Sequence, residues 1–105
     1  MNRKLLFTKE AKLQLSHLQK DASNKAVYNQ VCKTLGLLET NLKHPSLNTH
    51  EYHSVFGANG EKVWEAYAQN KTPGAYRIFF HYGPDIKEGS KNVPVLTILT
   101  IVHHP

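Results

Sequence analysis

Between His44 and Tyr52 the hydrophobic period of this chain changes from that of a helix to that of a strand, and this change limits the available folds more than any other feature. Before it, Ala11, Leu15, Leu18 and Ala22 recur at helical spacing, and Val27, Val31, Leu35, Leu38 and Leu42 continue the pattern. Each set forms a single apolar stripe that needs a partner to bury it. After it, the runs Lys62 to Tyr67, Ala75 to Tyr82 and Val93 to Val102 are rich in β-branched and aromatic residues and alternate with period two. These are strands. A short apolar run, Lys4 to Phe7, precedes the first stripe. The order predicts an α+β fold: an N-terminal strand, a helical hairpin, then three or four antiparallel strands, with the helices packed on one sheet face.

The punctuation agrees. Thr8 is placed to cap the first helix, with Glu10 in its first turn where a negative charge is favourable. Asp21-Ala22-Ser23-Asn24 turns the chain into a second, longer helix, and His44-Pro45 ends it because the residue before proline avoids helical geometry. Gly57-Ala58-Asn59-Gly60 is a turn joining a short strand, Tyr52 to Val55, to the next one. Thr72-Pro73-Gly74 and the segment from Gly83 to Asn92 supply the later turns. No linker or repeat divides residues 1–105, so one domain is expected, large enough to bury roughly 60–70% of its unfolded surface.

Thirteen Lys and Arg against eight Asp and Glu give a net charge of +5, a balance that suits polyanionic partners. Only Arg3 and Arg77 are arginines, so the position of Arg77 carries weight. The lone cysteine, Cys32, excludes an internal disulfide and shares a helical pattern with Tyr28 and Leu35, which predicts buried packing rather than a reactive thiol. The first residues lack a long apolar stretch and a small-residue cleavage site, so a cytoplasmic protein with no membrane association is expected.

In the run Ala75 to Tyr82, alternation sends Tyr76, Ile78, Phe80 and Tyr82 one way and Arg77, Phe79 and His81 the other. The first set reads as core. The second carries a cation, an aromatic ring and an imidazole. Tyr76-Arg77-Ile78-Phe79-Phe80, preceded by Gly74-Ala75, resembles the Tyr/His-Arg-aliphatic-aromatic strand of the RelE/ParE toxin superfamily, and the order of elements is similar as well. The resemblance implies the toxin of a toxin–antitoxin pair, an mRNA-cleaving endoribonuclease that works without a metal or cofactor, with the ribosome as a possible platform. It also implies an acidic antitoxin covering the cationic sheet face. Other branches of the superfamily block gyrase or carry no established activity, so a non-catalytic or degenerate member is the alternative.

By the same resemblance Arg77 matches the family's strand arginine, and His103-His104-Pro105 occupies the place of a His-Tyr ending, with His104 the closer match and His103 the nearest alternative. Proline stands where the family has tyrosine. Cleavage by a 2′-hydroxyl needs a base, cationic donors for the phosphoryl oxygens and an acid for the leaving oxygen. Arg77 suits the phosphate, because a guanidinium donates two parallel hydrogen bonds and stays charged; the competing reading is a surface salt bridge to Glu65 or another acid. One terminal histidine could serve as acid or base, and alternation allows only one of the two on the face of Arg77. Glu65 is a candidate base or a group that orients Arg77, and His81, Lys62 and Phe79 are candidate substrate contacts. Phe56, Trp64 and Phe79 are candidates to stack on bases, with core packing the competing role. His50 and His53 would face opposite sides of a strand and no third ligand is evident, so no metal is expected.

Overall fold

A computed structural model of the protein describes residues 2–69 and 75–103. The first strand, β1 (Lys4–Phe7), runs directly into helix α1 (Lys9–Lys20), with Thr8 at the junction. The Thr8 hydroxyl accepts from the Ala11 amide at 3.1 Å and donates to the Leu99 carbonyl at 2.7 Å. One residue therefore caps the helix and ties its start to the last strand. Asp21 turns the chain, its carboxylate accepting from the Ser23 amide at 3.0 Å, and α2 (Lys25–Thr40) follows. A hydrogen bond from the Ser23 hydroxyl, then the one from its amide and one from Asn24, hold the Asp21 carboxyl below its ordinary pKa.

The remaining strands are β2 (His50–Phe56), β3 (Lys62–Tyr67), β4 (Tyr76–Tyr82), β5 (Ile86–Glu88), β6 (Lys91–Val93) and β7 (Val95–His103). The main sheet has the order β1-β7-β4-β3-β2. It is antiparallel except at β1, which pairs parallel to β7 from Lys4 opposite Val95 to Phe7 opposite Ile98. A parallel pair needs a long crossover, and the helices and strands between β1 and β7 supply it. The parallel pair departs from the wholly antiparallel grouping expected from the sequence. The segment from Gly83 to Asn92, expected to be a turn, contains the small hairpin β5–β6, and Pro94 separates it from β7. The short second strand is also longer than expected, starting at His50. The expected turn at Thr72-Pro73-Gly74 lies outside the described residues.

The helices pack on one face of the sheet. Ala11, Leu18, Val31, Leu35 and Leu38 meet Ala66, Ile78, Phe80, Leu96, Ile98 and Ile101, with Trp64 and Tyr76 partly buried at the margin. Phe80 and Ile78, at the centre of β4, are fully shielded from solvent. Cys32 is half-buried rather than buried, because Val31 and Leu35 occupy the inward positions of α2. Its thiol hydrogen-bonds with Tyr28, which pushes that phenol above its ordinary pKa.

The pairing of β1 stops at Phe7 opposite Ile98 while β7 runs on to His103, which would expose backbone groups on that edge. Gln14 of α1 covers the gap: its side-chain oxygen accepts from the Ile101 amide at 2.6 Å, and its amide nitrogen lies 2.9 Å from the Thr100 hydroxyl. No helix of the described residues is long and apolar enough to cross a membrane.

Candidate functional site

Alternation along three paired strands sets the composition of the second sheet face. Register aligns Tyr67 with Arg77 and Val102 in one row, and His50 with Glu65, Phe79 and Thr100 in the next. Arg77, Glu65 and His50 are therefore neighbours, although they lie far apart in sequence. Arg77 and Glu65 are 9% and 2% exposed, so their contact is not the surface salt bridge considered from the sequence. The Tyr67 ring covers Arg77.

Arg77 is held from several sides. Its Nε lies 3.7 Å from Glu65 Oε2, beyond hydrogen-bond length but within strong Coulomb range. One terminal nitrogen donates to the Gln69 carbonyl at 2.9 Å and to the Tyr76 carbonyl at 3.3 Å. The guanidinium carbon stands 3.7 Å from the centre of the Tyr67 ring, a cation–π contact that favours a flat, delocalised cation. The arginine is fixed in one orientation rather than extended into solvent.

His50 closes the other side of Glu65, its Nε2 2.7 Å from Oε1. Its Nδ1 lies 3.0 Å from the Asn48 carbonyl, which can only accept, so Nδ1 carries a proton. When Nε2 is protonated as well, its contact with Glu65 is an ion pair. Asn48 has a left-handed backbone, with φ of 47°, and asparagine tolerates that geometry better than most residues. The His50 side chain keeps 46% of its surface exposed, whereas that of Glu65 keeps 3%. The imidazole is the accessible end of a chain that runs inward to Arg77.

Next to this cluster the face becomes apolar. Tyr52, Val55, Val63, Phe79, Leu99 and Val102 line a shallow groove of about 330 Å³, with Glu10 at its rim. Phe79 meets Tyr52 edge-to-face at 5.0 Å and sits beside Glu65 in register. His81 is on the same face but 6% exposed, with Nδ1 3.1 Å from the Tyr82 carbonyl and Nε2 4.0 Å from Glu61. Glu61 in turn accepts from the Asn59 amide at 2.9 Å, the main cause that holds its carboxyl below the ordinary range; His81 adds to it.

The structure brings together Arg77, Glu65 and Phe79; His81 shares their face but sits at the other end of β4, beside Glu61. The fold does not bring His103 to them. His103 pairs with Tyr76, their ring centres 4.2 Å apart, and borders a groove on the helical side with Gln14 and His17. His104 lies outside the described residues. Lys62 shares the alternation of Trp64 and Ala66 and is exposed at the start of β3, so it does not join the Arg77 row. Phe56 is 66% exposed at the sheet edge, which excludes the core role, while Trp64 packs against the core. The exposed lysines Lys9, Lys12, Lys20, Lys25 and Lys33 lie on the helices, so much of the positive charge is there rather than on the sheet face. Among the described residues no group of three or more metal-ligating side chains is found.

From the sequence, His50 reads only as a candidate metal ligand. The signal that could have found it is its place in the hairpin around Gly57 to Gly60, but a bulge in β2 hides the register. An unbroken ladder from Phe56 opposite Lys62 would set His50 against Ala68, six residues along each strand; the observed partner is Glu65. No protein-family model matches this chain, and neither a curated protein nor a solved structure matches it.

Proposed function

We propose that this protein is a toxin-like member of the RelE/ParE superfamily that cleaves RNA without a metal, with mRNA, free or on the ribosome, as its substrate. The observation that carries the reading is the adjacency, on one sheet face, of a fixed guanidinium and an imidazole–carboxylate pair. These are the group types that attack by a 2′-hydroxyl requires: a cation for the phosphoryl oxygens and groups that move protons. The strand–helix–helix–sheet order and the position of Arg77 on the central strand add to the likeness. Exposed lysines on α1 and α2 would draw a polyanion toward the molecule. An acidic antitoxin in the same cytoplasm would restrain it.

A second reading has its own observation. Arg77 already donates to two backbone carbonyls and faces Glu65, so a phosphate would have to compete with partners in place. On that account the protein binds an RNA-containing target or gyrase and blocks it without cleavage. The two readings separate in one experiment: the protein is induced in growing cells, and RNA 5′ ends are mapped alongside growth. Arrest with new ends supports the ribonuclease, arrest without them supports the blocking protein, and unimpaired growth removes both. Arg77→Lys at matched soluble protein level serves as the control, because deleting a buried cation outright also threatens the fold.

A further inference from the structure

We infer that His50 is the general acid of this site, donating the Nδ1 proton to the 5′-oxygen that leaves when RNA is cut; the inference rests on the ribonuclease reading. Three observations lead to it. Both ring nitrogens of His50 face oxygen acceptors, Glu65 Oε1 at 2.7 Å and the Asn48 carbonyl at 3.0 Å, so each has a partner for a proton. Carrying both protons, the ring is a proton donor, not a base. The Glu65 carboxylate is 3% exposed and holds Nε2 from inside, while the imidazole is 46% exposed, so the proton on the accessible side is the one on Nδ1. Arg77, on the far side of Glu65, fixes that carboxylate in turn. The Asn48 carbonyl holds the Nδ1 proton until a leaving oxygen takes its place, a weaker and more exposed contact than the one to Glu65.

The step balances. The 2′-oxygen attacks phosphorus and its proton passes to bulk water; the bond from phosphorus to the 5′-oxygen breaks, and that oxygen takes the Nδ1 proton of His50. The products are a 2′,3′-cyclic phosphate and a 5′-hydroxyl end, and the neutral imidazole keeps its Nε2 proton on Glu65 until water reprotonates Nδ1. The groups around the ring are Glu65 and Tyr67 on β3, Arg77 on β4 behind Glu65, and Glu51 and His53 on β2 itself, which pair with each other at 3.3 Å. Tyr67 meets the ring edge-to-face at 5.6 Å and supplies packing rather than a charge.

The test compares wild type and His50→Gln on two RNA oligonucleotides, with and without ribosomes: one ordinary, and one in which sulfur replaces the bridging 5′-oxygen at the cleaved bond. A thiolate leaves without being protonated, so the acid is dispensable on the second substrate. On ordinary RNA the variant is expected to lose roughly a hundredfold or more in rate, the usual weight of a general acid. It should also lose the fall in rate that wild type shows as pH rises and the acid form is consumed. On the sulfur-bridged RNA it should recover to within a few-fold of wild type. Equal activity on ordinary RNA, or an equal loss on both substrates, overturns the role assigned to His50 while leaving the ribonuclease reading intact. A wild type that cuts neither RNA under either condition overturns both. Circular dichroism of the two proteins, matched before assay, keeps a folding defect from imitating the result.

Discussion

The two faces of the sheet centre are both buried, but by different physics. On one, Ala66, Ile78 and Phe80 meet the helices through apolar contacts that are individually weak and tolerant of direction. On the other, Glu65 and Arg77 are equally hidden, yet each depends on particular partners at particular distances. Removing a core side chain leaves a void; removing one member of the polar set leaves a stranded charge. The first face stores stability and the second stores orientation.

The largest effects should come from cutting into either centre. Phe80→Ala is expected to cost about 3–5 kcal/mol through the lost apolar burial and its cavity. Arg77→Ala should cost a similar ~3–5 kcal/mol for the opposite reason, because it leaves the Glu65 carboxylate buried without its guanidinium. The double variant Arg77→Met with Glu65→Leu separates the mechanisms: replacing both charges by apolar side chains should restore most of what Arg77→Ala loses, as urea melts of the three proteins would show. If the double variant is as unstable as Arg77→Ala, the polar face is not held by charge compensation and the comparison fails.

A smaller effect is expected where the same network reaches solvent. His50→Gln removes a half-exposed partner of Glu65 and should cost about 1 kcal/mol, a typical net hydrogen-bond contribution. A loss as large as that of Arg77→Ala would place His50 in the stabilising part of the cluster and weaken its use as an accessible proton donor. The smallest effect is the acid response of the turn beside His81. The Glu61 carboxyl titrates below its ordinary 4.5, chiefly because it accepts the Asn59 amide, so its folded form favours the charge. Its contribution is then fully present above about pH 4.5 and is lost as pH falls through the lowered value. The melting temperatures of wild type and Glu61→Gln should differ at neutral pH and converge in acid. A gap that stays constant across that range would remove the charge from the explanation.

Much of the fold was legible in the chain itself. The strand before Thr8 and the β3 and β4 runs appear where periodicity puts them, because burial of one face enforces the spacing directly; the two stripes form helices as well, but α1 ends at Lys20, before Ala22, and α2 at Thr40, before Leu42 and the expected stop at His44-Pro45. Alternation also separated Arg77, Phe79 and His81 from Ile78 and Phe80 correctly. The β5–β6 hairpin is not legible in the chain, because its three-residue strands are too short for a period to register, and Lys87, Glu88 and Asn92 are weak strand formers. Of the site, Arg77 and Glu65 were recognisable as chemistry-bearing side chains, but their burial was not, since a charged residue on a strand ordinarily points to water.

Sequence alone determined which side of an unbroken strand such as β4 a residue takes, since that follows from a period of two and needs no partner. Tertiary structure decided what stands beside it. The β2 bulge moves His50 from Ala68 to Glu65, and strand pairing puts His103 over Tyr76 instead of beside Arg77. Both outcomes depend on the register between strands distant in sequence, which is set by the packing of the whole sheet against its helices and not by either strand.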